Sequence, residues 1–163
     1  MLSLGKMVQY TDRDVKSKAS SVGIAIKVSK IDIDDEDKWY KLISGVSRPS
    51  KKGLPHKFTL KIYGKGTTVR SKAWVHCNCP YFLFNCEVAL SLQGSSTVVN
   101  SNGRRPRIMN PGMRPKLCKH LMAAARLAIQ KKPKTGALPK DLKVIPKEGR
   151  VNLHPKDKRR LGK

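Results

Sequence analysis

The chain has 163 residues, of which 35 are Lys or Arg and 11 are Asp or Glu, giving a net charge of +24. That length suits one small domain with extensions, and a hydrophobic fraction of 39% is too low to give the whole of it a core. Charge of this size opposes compaction unless something acidic neutralises it, so nucleic acid is the leading expected partner, DNA before RNA, and an acidic protein surface is the next.

No apolar run reaches the length of a membrane span, and Met1-Leu2-Ser3-Leu4-Gly5-Lys6 contains no signal-peptide core. The expected location is intracellular (cytoplasm, nucleoid or nucleus), or a virion for a phage-encoded chain. In a reducing compartment close cysteines serve metals more often than disulfides.

Residues 1–20 are polar and mixed in charge, and fit a short helix or an arm. From 22 to 29, Val22, Ile24, Ile26 and Val28 alternate with Gly23, Ala25, Lys27 and Ser29, which is a strand pattern. An acidic turn follows at 32–37, a second strand at 39–43, and a Pro- and Gly-containing loop at 47–55. Alternation returns at 56–63 with Phe58, Leu60 and Ile62 on one face. Gly64-Lys65-Gly66 then turns the chain into a β-rich run at 67–76, completing a hairpin that ends on Cys77 and Cys79.

The apolar stretch 81–92 predicts one short helix, ended by Gly94-Ser95-Ser96. A connector spans 97–114, with turn signals at Ser101-Asn102-Gly103 and Asn110-Pro111-Gly112. A helix is expected over 115–131: Pro115 suits its first turn, and Leu117, Leu121, Ala124, Ala125 and Ala128 fall at helical spacing. From Lys131 onward, 33 residues carry 12 Lys or Arg, 3 Asp or Glu and 4 Pro, the composition of an extended basic arm.

The chemistry is concentrated in Cys77-Asn78-Cys79 and Cys118-Lys119-His120, which use three of four cysteines and one of four histidines. Three thiolates and an imidazole form the closed tetrahedral set of a structural zinc site, with no position left open for water. Such an ion clamps the hairpin to the helix and stabilises elements that bury little apolar surface between them. Cys86 reads as a buried small thiol, and His76 as pointing to the face opposite Cys77. The spacing leaves open whether either contributes to the site. His56 and His154 sit among basic residues away from it.

These ligand pairs, Cys-x-Cys then Cys-x-His on a helix, resemble the SWIM zinc-finger motif. The resemblance covers roughly residues 67–130. It implies a ββα zinc-binding module and a role in DNA binding or protein–protein contact. The 38 residues between Cys79 and Cys118 are long for the motif, so 81–114 is expected to be an insertion. Cys79-Pro80-Tyr81-Phe82, Ser101-Asn102-Gly103 and Asn110-Pro111 are also similar to SWIM-like proteins of large tailed bacteriophages, which implies a virion or DNA-associated role. The expected organisation is therefore α+β: a β-rich part at 1–66 with an antiparallel sheet, a SWIM-like module at 67–130, and the arm at 131–163.

The expected phosphate contacts are Arg104, Arg105, Arg107, Arg114 and Lys116 around the connector, and Lys131, Lys132, Lys134, Lys158, Arg159 and Arg160 in the arm. Arginine offers a planar fork that matches phosphate. Tyr81, Phe82 and Phe84 could stack on bases but fit packing around the zinc better. No recognition-helix pattern is present.

The acidic run 32–37 is the one carboxylate concentration, and no nucleophile stands beside an evident base. A non-enzymatic nucleic-acid-binding protein is expected. The alternative is an assembly protein whose basic surfaces dock on acidic neighbours or packaged DNA.

Overall fold

The computed structural model describes residues 1–29, 40–48, 54–64 and 68–129. The expected acidic turn at 32–37 and the arm residues Lys131, Lys132, Lys134, Lys158, Arg159 and Arg160 lie outside them.

Four strands, β1 (Ile24–Ser29), β2 (Tyr40–Ser47), β3 (Lys57–Tyr63) and β4 (Ala73–Cys77), form one antiparallel sheet in sequential order. Strand alternation sorts the side chains between the two faces. The register pairs Ile43 with Leu60, and Phe58, Leu60 and Ile62 with Cys77, Val75 and Ala73. All of these are buried on the core face.

Gly45 faces Phe58 in this ladder, and a Cβ there would lie 2.5 Å from the Phe58 ring and 2.4 Å from the Ala25 carbonyl oxygen. Only glycine leaves room for the ring. The outer edge of β4 is covered: Ala73 N–H donates to the Leu2 carbonyl at 2.9 Å and Val75 N–H to the Ser95 carbonyl at 2.8 Å. That removes an open ladder from solvent.

The N-terminal segment forms two helices, α1 (Leu4–Tyr10) and α2 (Arg13–Ser20). Ser3 caps α1, its Oγ accepting the Lys6 N–H at 3.3 Å. Leu4, Met7, Val15 and Ala19 face inward. Helix α5 (Lys119–Ile129) crosses the same face of the sheet, touching all four strands and packing along α2. Its alanines 123, 124, 125 and 128 are buried and permit close approach. One core runs from Leu4 to Ala128, so the boundary expected at 66/67 falls between β3 and β4 of a single sheet.

Several element boundaries differ from expectation: the second strand, expected at 39–43, continues to Ser47. Of the β-rich run at 67–76, the strand is Ala73–Cys77, and Thr68 to Ser71 form a turn closed by Ser71 N–H to Thr68 O at 3.1 Å. The single helix expected at 81–92 is two, α3 (Pro80–Asn85) and α4 (Glu87–Ser91). The chain breaks at Cys86 because the Asn85 carbonyl accepts from the Asn110 amide at 2.6 Å instead of from a helical N–H. Helix α5 begins at Lys119, not Pro115; before it, Leu117 N–H donates to Thr11 Oγ1 at 2.9 Å and Lys116 N–H to the Arg114 carbonyl at 2.9 Å.

Candidate metal centre

Each of the four candidate ligands stands at or next to the end of an element. Cys77 is the last residue of β4. The turn after it is fastened to β3, with Asn78 N–H donating to Lys57 O at 3.1 Å and Lys57 N–H to Asn78 Oδ1 at 2.9 Å. Cys79 caps α3, its Sγ accepting the Phe82 N–H at 3.4 Å, and Pro80 follows where a missing N–H costs nothing. Cys118 immediately precedes α5, and its carbonyl accepts the Met122 N–H at 2.9 Å. His120 lies in the first turn.

The three Sγ atoms and a ring nitrogen of His120 lie within 4.8 Å of one another, and all four residues are buried. Cys77 Sγ and His120 Nδ1 are 3.8 Å apart. A tetrahedral zinc with bonds of about 2.3 Å to sulfur and about 2.0 Å to nitrogen sets a sulfur and a nitrogen about 3.6 Å apart. The cluster therefore has the size and donor set of a single metal site.

The three thiols perturb one another. Hydrogen bonds from Cys118 and Cys77 hold the Cys79 thiol far below its ordinary range, outweighing burial. Burial, reinforced by hydrogen bonding to Cys118 and Cys79, pushes Cys77 up, and burial pushes Cys118 up. The opposed shifts follow from the close packing of the three thiols, and metal binding to such ligands displaces their protons.

Neither Cys86 nor His76 belongs to the group. Cys86 is a fully buried free thiol 3.9 Å from the Tyr81 carbonyl, as its apolar surroundings suggested. His76 is buried on the opposite face of β4, its Nδ1 3.6 Å from Glu87.

His56, expected away from the site, lies beside it, its ring centroid 4.9 Å from that of His120. Burial, then the neighbouring His120, lowers its pKa. The strand register explains the proximity: Phe58 pairs with Cys77, and His56 is two residues further along the same face.

The connector 97–114 is anchored at both ends. Glu87, fully buried, accepts the N–H of Val99 at 3.1 Å and of Ser101 at 3.0 Å. Asn110 donates to the carbonyls of Asn85 and Arg114 at 2.6 and 2.9 Å and accepts the Arg114 N–H at 3.0 Å. Between and beyond these anchors Arg104, Arg105, Arg107 and Arg114 are exposed.

Lys116 differs from the expectation of a phosphate contact. Its side chain is buried, and its Nζ donates to Asp12 at 2.7 Å and to the Met109 carbonyl at 3.3 Å. Burial pulls the Lys116 pKa down, but hydrogen bonding with Asp12 and Tyr81 outweighs it and the net shift is upward. The hydrogen bond from Lys116 lowers the Asp12 carboxyl in turn.

The three aromatics of α3 also divide. Phe82 is fully buried, Tyr81 is half-buried with its hydroxyl donating to Asp12 at 3.3 Å, and Phe84 is 67% exposed. Phe84 thus departs from the packing role expected of it.

No protein-family model, curated protein or solved structure matches this chain. Among the described residues, no helix is long and apolar enough to cross a membrane.

Proposed function

We propose that Cys77, Cys79, Cys118 and His120 hold a structural Zn²⁺ in a SWIM-like module, and that the protein binds nucleic acid, DNA in the first instance, through phosphate contacts without catalysing a reaction. A fourfold protein ligand set leaves zinc no coordination position for a substrate or water, so the ion fixes the β4–α3 turn against α5. The phosphate reading rests on one observation. Between Glu87 and Asp141 the sequence contains no carboxylate residue, and Arg104, Arg105 and Arg107 are exposed on the anchored connector in that stretch, whereas Arg114 lies near enough to Asp12 to lower the pKa of its carboxyl. Arginines without local acidic partners keep their forks for an external anion.

The test is metal analysis of the purified full chain followed by binding to labelled duplex DNA over a salt series. One zinc per chain and an affinity that falls steeply with salt are expected. Weak, salt-insensitive binding at low ionic strength would replace this reading with docking on a specific acidic protein.

A further inference from the structure

Helix α3 and the connector loop form one surface. Asn110 bonds to the backbone of Asn85, the neighbour of Phe84. Lys116 bonds to the Met109 carbonyl and stands 5.7 Å from the Tyr81 ring centroid. Tyr81 and Phe84 are three residues apart and share a helix face. These bonds hold Met109 and Asn110, where the loop 104–109 ends, against the α3 segment that carries the exposed Phe84.

The loop's exposed residues are of two kinds. Arg104, Arg105 and Arg107 are cationic, whereas Ile108 at 88% and Met109 at 61% exposure are apolar, like Phe84. Large apolar side chains so far in water, set among arginines, suit a ligand that is itself both flat and apolar and polyanionic. Duplex DNA offers its phosphates but hides its base faces. An unpaired strand offers both, and aromatic platforms beside basic grooves are the general solution for binding it.

We infer that the surface of Phe84 and the loop 104–109 binds single-stranded nucleic acid, with Phe84 stacking on a base and Arg104, Arg105 and Arg107 holding the flanking phosphates. This rests on the phosphate-binding reading above and adds to it the strandedness of the partner. The anchors at Glu87 and Asn110 hold the loop in place before binding, which reduces the ordering cost.

The experiment is fluorescence anisotropy of the zinc-loaded full chain with labelled oligothymidine of about 15 nucleotides and with duplex DNA of equal length, for wild type, Phe84→Ala, Phe84→Trp and the triple Arg104→Ala, Arg105→Ala, Arg107→Ala. Phe84→Ala is expected to weaken single-strand binding about tenfold with an unchanged salt slope, because the stacking it removes involves no charge. Phe84→Trp is expected to restore it. The triple variant is expected to weaken both ligands and to reduce the single-strand salt slope by about 0.7 for each phosphate that it no longer neutralises. Since Phe84 and these arginines are exposed, zinc content and thermal unfolding should match the wild type.

Wild-type-like single-strand affinity in Phe84→Ala would overturn the stacking site while leaving duplex phosphate binding intact. Absence of binding to either ligand by the wild type at low salt would overturn the phosphate-binding reading itself.

Discussion

The hydroxyl of Thr11 accepts the Leu117 N–H at 2.9 Å and donates to the Met7 carbonyl at 2.8 Å, tying the end of α1 to the residue before Cys118. Next to it, Asp12 pairs with Lys116 at 2.7 Å. The segment that delivers Cys118 and His120 is thus fastened to the corner between α1 and α2, about 100 residues away in sequence.

Thr11→Val keeps the shape of this side chain and removes its oxygen. It leaves the buried Leu117 N–H without a partner, which costs on the order of 1–3 kcal/mol. Chemical denaturation of the zinc-bound protein should show that loss with an unchanged m-value. A midpoint equal to wild type would mean that Leu117 N–H finds another acceptor.

Cys118→Ser should lose both the metal and the folded module, whereas Cys86→Ser should keep both, because the Cys86 thiol lies outside the ligand group. Zinc content and near-ultraviolet circular dichroism of the two variants decide this. A strong chelator should reproduce the Cys118→Ser spectrum in the wild type, since metal-binding energy in such a site is folding energy. Full zinc occupancy in Cys118→Ser would refute the ligand assignment.

Glu87→Gln replaces one of the two buried carboxyl oxygens that accept N–H groups of the connector by an amide nitrogen that cannot accept. Leaving a buried N–H without its acceptor costs about 1–3 kcal/mol. Hydrogen exchange at Val99 and Ser101 should accelerate while exchange in β2 and β3 stays slow. Uniform acceleration would show that Glu87 supports the whole fold and not the connector alone.

Gly45→Ala places a methyl group against the Phe58 ring and the Ala25 carbonyl oxygen. Overpacking of this kind costs typically about 1–3 kcal/mol. Thermal unfolding should fall accordingly, and the double variant Gly45→Ala, Phe58→Leu should recover part of the loss. A Gly45→Ala midpoint at or above wild type would show that β1 and β2 can separate to admit the methyl.

Much of the fold was legible because strand alternation is local. Phe58, Leu60 and Ile62 identified β3 and its buried face without any knowledge of the neighbours. The helix breaks were not legible. Residues 81–92 have the composition of one helix, and only the Asn110 amide, 25 residues away, takes the carbonyl that the helix needed to continue. The start of α5 was not legible either: Pro115 is well suited to a helix N-terminus, but the segment before Cys118 is tied to Thr11 and Asp12, about 100 residues away, and the helix begins at Lys119.

In the candidate site, residue chemistry singled out Cys77, Cys79, Cys118 and His120 in advance, and the structure brings those four close enough together to hold a metal ion. Proximity of His56 to His120 depended on the pairing register of β3 with β4. The fates of Lys116 and Phe84 reversed expectation because exposure is not a local property. A lysine in a basic connector was buried by a distant aspartate, and a phenylalanine in an apolar helix was left in water because Phe82 and Asn85 occupy the helix's inward side.

The sequence by itself determined the kinds of chemistry present: a soft, closed ligand set, a large positive charge and alternating strands, all of which follow from residue type and short-range spacing. Tertiary structure alone decided which cation remains free, which aromatic faces solvent and where each helix begins. Those outcomes depend on interactions between residues about 25 to 100 positions apart, and no local pattern encodes them.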